Sequence, residues 1–137
     1  MAPLAKDRNT RSRGEKTRKV VLPVAAATKI FCGAGVCVNA AGYAVPASDT
    51  AALITWGRAE AQVDNTLGAA GDLYIEVSKG VFAFDASGLA QANIGDPVTW
   101  VDDHTVGLAA ATTNDIAAGT LEEIDPVSAE AWITILP

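Results

Sequence analysis

Short apolar stretches broken by turn-forming residues recur from about position 18 to the end of the chain, and this rhythm restricts the possible folds more than any other feature. Val20, Val21, Leu22 and Val24 mark a first strand over residues 19–24, where Pro23 removes a backbone donor and favours a sheet edge. Residues 29–32 and 36–38 flank Gly33, Ala34 and Gly35, which predicts a hairpin turned by the two glycines. Residues 43–46 and 51–56 are strand-like, and residues 58–63 alternate polar and apolar at every step. Residues 73–77 and 81–84 predict a second hairpin over Ser78, Lys79 and Gly80. Pro97 opens a strand over 96–101, residues 105–110 pair back to it, and residues 131–136 close the series. Turn signals about 8–12 residues apart belong to an all-β sandwich or barrel. There is no long helical period; residues 87–92 and 114–119 offer at most one helical turn each.

Charge divides the chain in two. Residues 1–19 hold seven cations against Asp7 and Glu15, a net of +5. The other 118 residues hold Lys29, Arg58 and Lys79 against fourteen acids, a net of −11, and together these give −6. The expected organisation is therefore a basic extended N-terminal arm over residues 1–19 and a β-barrel body over residues 20–137. The arm is polar and has no apolar period, so it needs a surface to order it. Fully extended, it spans ~60 Å. Such asymmetry points to an interaction tail. Nucleic acid is one possible partner class, since seven cations bind phosphates in a salt-dependent way. The acidic body would be repelled by DNA and favours a protein surface.

Candidate chemistry is sparse. Cys32 and Cys37 could supply two zinc ligands, but only His104 adds another soft donor, so a metal site is not expected and two buried free thiols are favoured over a hairpin disulfide. Gly33 and Gly35 lack the third glycine and the helix that a dinucleotide fingerprint requires. Asp102, Asp103 and His104 read as a solvated turn, because neighbouring side chains on a strand face opposite ways and Asp favours turns. His104 is the sole histidine, and nothing marks a nucleophile beside it. Glu122, Glu123 and Asp125 read as a solvated loop. Trp56, Trp100 and Trp132, with Tyr43 and Tyr74, read as core or interface rather than a stacking platform. No run approaches the ~20 apolar residues of a membrane helix. Residues 20–27 follow basic residues as a signal peptide would, but Pro23 interrupts them. No cofactor, metal or catalytic residue is expected.

Three stretches carry a family resemblance: Gly80-Val81-Phe82-Ala83-Phe84, then Ile94-Gly95-Asp96-Pro97-Val98-Thr99-Trp100, then Val106-Gly107-Leu108-Ala109. In this order they resemble the capsid decoration (cement) proteins of tailed bacteriophages, over about residues 19–137. The resemblance implies a small, partly open β-barrel of the β-tulip kind. It also implies a non-enzymatic structural role on the outer surface of the expanded capsid, bound to the major capsid protein, most often as a trimer. The arm departs from the family in being longer and more basic. On this reading the capsid-binding residues are Lys6, Arg8, Arg11, Arg13, Lys16, Arg18 and Lys19, with Val20 and Val21 adding a strand to an exposed capsid-protein edge. The alternative is a nucleic-acid-binding protein that uses the same arm.

Overall fold

The longest run of strand-forming residues, Tyr74–Ser87, organises the rest of the molecule. In the computed structural model, which describes residues 2–135 (and only the backbone of 13–17), eleven strands and two single 3-10 turns form. In chain order the strands are β1 (Ser12–Pro23), β2 (Thr28–Ile30), β3 (Gly35–Val38), β4 (Ala44–Pro46), β5 (Ile54–Ala59), β6 (Val63–Asn65), β7 (Tyr74–Ser87), β8 (Pro97–Trp100), β9 (Thr105–Gly107), β10 (Ala117–Ile124) and β11 (Ala131–Ile135). The all-β barrel expected from the turn rhythm is what forms. Met1, Leu136 and Pro137 lie outside the described residues.

Five strands close a ring. β7 pairs with β11, β11 with β10, β10 with β8, β8 with β9, and β9 returns to β7 in parallel. Register shifts in β10, between Ala117 and Gly119 and between Leu121 and Glu123, bend that strand round the ring. The first half of β7 extends beyond the ring and carries β5, then β3, then β4. β2 and β6 form a separate two-stranded ladder.

β7 shows strict alternation only at its start. Ile75 and Val77 point inward between Tyr74 and Glu76, whereas Phe82, Ala83 and Phe84 are all buried. That change marks where both faces of the strand become covered. Inside the ring, Phe84 packs edge-on against Trp100 at 5.0 Å between centroids, and Val98, Val106, Leu121 and Ile133 complete the core. Trp100 satisfies its buried N–H by donating to Thr55 Oγ1 at 2.8 Å. Its ring presses so closely on Gly35 that a Cβ there would sit 2.4 Å from it. A second cluster, including Val24, Ile30, Val36, Ile75 and Val77, fills the space under β3, β4 and β5.

Several local expectations change. The expected hairpin over 73–84 is replaced by one continuous strand, Tyr74–Ser87, since β1 and β11 supply partners along it. β2 and β3 go to different sheets, so Gly33 turns the chain between sheets instead of closing a hairpin. The alternating stretch 58–63 is split between β5 and β6 by residues 60–62. The 3-10 turns fall at Gln91–Asn93 and Ala109–Ala111, while residues 117–119 of the stretch 114–119 join β10. The strands expected at 96–101 and at the C-terminal end form as β8 and β11; of the stretch 105–110 only Thr105–Gly107 is a strand, β9, which pairs with β8 as expected, and the end of the stretch enters the second 3-10 turn. β1 runs across residues 19 and 20, joining the basic segment to the body in one strand.

Candidate functional site

The basic N-terminal segment is extended and lies along the barrel. Backbone contacts set its path: Arg8 N–H donates to the Cys32 carbonyl at 2.8 Å, and Ala83 N–H donates to the Arg11 carbonyl at 2.8 Å. Thr10 is 3% exposed, and its hydroxyl donates to the Gly33 carbonyl. Arg58 Nη1 donates to the Thr10 carbonyl at 2.7 Å. The turn at Gly33 needs glycine on two counts. Its φ is +87°, and a Cβ there would fall 1.9 Å from the Arg8 carbonyl oxygen. Asp7 accepts from the Cys32 amide and from Gln62.

Electrostatics explains why a polar segment without an apolar period orders here. Arg8 Nη2 lies 2.7 Å from Glu130 and 3.2 Å from Asp85, with its side chain 16% exposed. Arg11 reaches the other oxygen of Glu130 at 2.8 Å and Asp125 at 3.2 Å, and it stacks over Trp132. The arginine pKa rises through the bond to Glu130 first and Asp125 second. Asp125 is held down at about 2, mainly by the backbone N–H groups of Val127 and Ser128, with Arg11 adding to them. Glu130 thus ties the segment to the barrel at two residues, Arg8 and Arg11. Glu122 and Glu123 belong to β10 rather than to a loop, and Asp125 holds the turn that follows.

The nine residues singled out from the sequence therefore divide. Arg8 and Arg11 are engaged within the molecule. Lys19 pairs with Glu76 at 3.2 Å. Lys6 and Arg18 are exposed and make no ion pair among the described residues. The side chains of Arg13 and Lys16 lie outside the described residues. Val20 is half-buried, and Val21 is 59% exposed on the outer face. Across the strand, Pro23 pairs with Tyr74, which is also exposed, so a small apolar patch sits beside Lys19 and Glu76. β1 pairs with β7 alone, leaving its other edge open among the described residues. The register jumps from Arg13↔Val81 to Arg18↔Lys79.

Other candidate chemistry is muted. Burial pushes the Cys37 thiol up to about 12. The Cys32 thiol is also raised, first by desolvation and then by Asp7 and Glu60. Neither thiol is activated as a nucleophile. Both are free, as favoured from the sequence, but only Cys37 is buried; Cys32, expected to be buried as well, is partly exposed. Cys32 lines an open groove of about 400 Å³ with Asp7, Arg8, Thr10, Arg58 and Glu60, where Arg58 and Glu60 already satisfy each other at 2.6 Å. Trp100 and Trp132 are buried in or against the core.

The turn 102–104 differs from its sequence reading. Asp102 and Asp103 are 5% and 2% exposed, and both carboxylates converge on His104 Nδ1 at 3.1 Å. The residues lie in a tight turn between β8 and β9, where the alternation of a strand does not apply. Sequence reasoning missed Glu130, Asp85 and Arg58 as receivers of the N-terminal segment. The opposite charges of segment and body were the available signal, but not which acids would meet it. Comparison with protein-family models, curated proteins and solved structures finds no match, so the site is interpreted from its own residues.

Proposed function

We propose that the protein is a non-enzymatic capsid decoration protein. It binds the outer surface of an expanded viral shell, contacts the major capsid protein and does so as a homo-oligomer, with a trimer favoured. The observation that carries this reading is the open edge of β1, which bears the exposed cations Arg18 and Lys19, with Lys6 exposed on the segment before it, on an otherwise acidic body. An unpaired edge offers backbone donors and acceptors for strand addition. Lysine and arginine along it discourage indiscriminate edge pairing and select an acidic partner. Arg8 and Arg11 then act indirectly, holding the segment so that the edge is presented in one geometry.

Binding only the expanded shell would stabilise that state by mass action, and repeated contacts over a lattice would multiply a modest single affinity. The test is co-sedimentation with undecorated expanded shells of the virus that encodes the chain. Wild type is expected to saturate at a fixed ratio to capsid subunits. The charge reversals Lys6→Glu and Arg18→Glu, which break no described ion pair, are expected to weaken that binding while preserving the circular dichroism spectrum. Absence of shell binding together with salt-sensitive binding to duplex DNA would replace this reading with the nucleic-acid one.

A further inference from the structure

The turn between β8 and β9 gathers three side chains able to ligate a metal, of which Asp103 alone also meets the N-terminal segment through its side chain. Asp102, Asp103 and His104 each offer a ligand atom, all within 4.8 Å of one another. His104 Nδ1 stands 3.1 Å from Asp102 Oδ1 and 3.1 Å from Asp103 Oδ1. Nitrogen and oxygen donors bound to one ion at about 2.0–2.2 Å lie roughly 2.9–3.4 Å from each other. The turn is fixed by its backbone. Val101 N–H donates to the Thr105 carbonyl, Gly35 N–H to the Asp103 carbonyl and Asp85 N–H to the His104 carbonyl, at 2.9, 2.7 and 2.8 Å. Rigid support of this kind holds donors in place before a ligand arrives.

A second, independent observation points to a ligand. Asp102 is 5% exposed, and its Oδ2 is fully buried with no hydrogen-bond donor. Its other oxygen already accepts from the His104 amide at 3.0 Å, and Asp103 Oδ1 accepts from the Leu4 amide at 2.9 Å. The nearby cation does not relieve the pair, because Arg8 is taken by Glu130 and Asp85. A buried carboxylate oxygen without a donor is costly, and a bound cation would relieve it.

We infer that Asp102, Asp103 and His104 form a binding site for one divalent transition-metal ion of the Zn²⁺ or Mn²⁺ type. A mixed imidazole and carboxylate set suits these ions better than Ca²⁺, which takes oxygen ligands. His104 would bind through Nδ1, leaving Nε2 on the side of Asp85, whose Oδ2 is 3.9 Å away. Bound there, the ion would fasten the β8–β9 turn. Through the Leu4 contact to Asp103, it would also fasten the start of the N-terminal segment.

The chain has a single histidine, so its imidazole nitrogens are unambiguous in ¹⁵N-edited NMR. Zn²⁺ added to the full, chelator-stripped protein is expected to saturate at one equivalent and move the Nδ1 resonance, whereas Ca²⁺ leaves it in place. By calorimetry, Asp102→Asn is expected to weaken Zn²⁺ binding at least ~10-fold, the lower bound seen even for supporting residues of metal sites. Asp85→Asn, which alters a group on the far side of the ring, should change it by much less. Unmoved His104 nitrogens at saturating Zn²⁺ overturn the inference. Equal affinity in wild type and Asp102→Asn also overturns it. Because the NMR readout uses wild type, it decides the matter even where a variant fails to fold.

Discussion

At the scale of single residues, Glu130 and Arg8 have the greatest leverage on the N-terminal segment. The Arg8–Glu130 pair is largely shielded, with side chains 16% and 20% exposed. Losing one partner of such a charge-assisted bond costs about 1–3 kcal/mol. Arg8→Ala is therefore expected to lower stability to urea by that order, whereas Lys6→Ala should leave it nearly unchanged. Asp125 makes a pH prediction. Its folded pKa of about 2 lies below the ordinary 3.8, so its stabilisation is fully present above the ordinary value and is lost as pH falls towards 2. Melting temperatures measured from pH 5 to about pH 2 should fall less steeply in Asp125→Asn than in wild type. The thiols give a third test. Cys37 is buried and raised to about 12, while Cys32 is partly exposed. A disulfide exchange reagent should therefore titrate one thiol in the native protein and a second only after unfolding.

Among the elements, the Gly33 turn controls how the segment meets the barrel. Gly33→Ala places a methyl against the Arg8 carbonyl in a backbone conformation that L side chains rarely adopt. Strain of about 1–3 kcal/mol is expected. It should appear as faster hydrogen exchange at the Arg8 amide, which bonds to the Cys32 carbonyl one residue away. Amides of the β10–β11 ladder should keep their protection. Gly35→Ala acts differently, since it meets the Trp100 ring and so disturbs the barrel core itself. At the outer face of β1, Val21→Lys is expected to leave stability within about 0.5 kcal/mol, because that side chain is exposed.

Over the whole molecule, the β7–β11–β10–β8–β9 ring is complete without the first eleven residues. Those residues are held by ion pairs and a few backbone bonds, whereas the ring is held by a packed aromatic and aliphatic core. High salt should weaken the attachment of the segment before it weakens the barrel, since the exposed Arg11 pairs are screened. Hydrogen exchange at low and high ionic strength would show loosening at Arg8 and retained protection in β11.

The sequence by itself determined the strand-rich class, the edge character of the strand holding Pro23, the β8–β9 pairing and the charge division. These follow from local chemistry: side-chain period, proline's missing donor, turn preference and formal charge. Only the tertiary structure decided that residues 74–87 run on as one strand. A turn signal such as Ser78-Lys79-Gly80 is overridden when neighbouring strands supply hydrogen-bond partners on both sides. It also decided that Arg8 and Arg11 face Glu130, Asp85 and Asp125, pairings between positions more than seventy residues apart that no local rule encodes. The convergence of Asp102 and Asp103 on His104 has the same origin: alternation governs strands, and a buried turn obeys the packing around it.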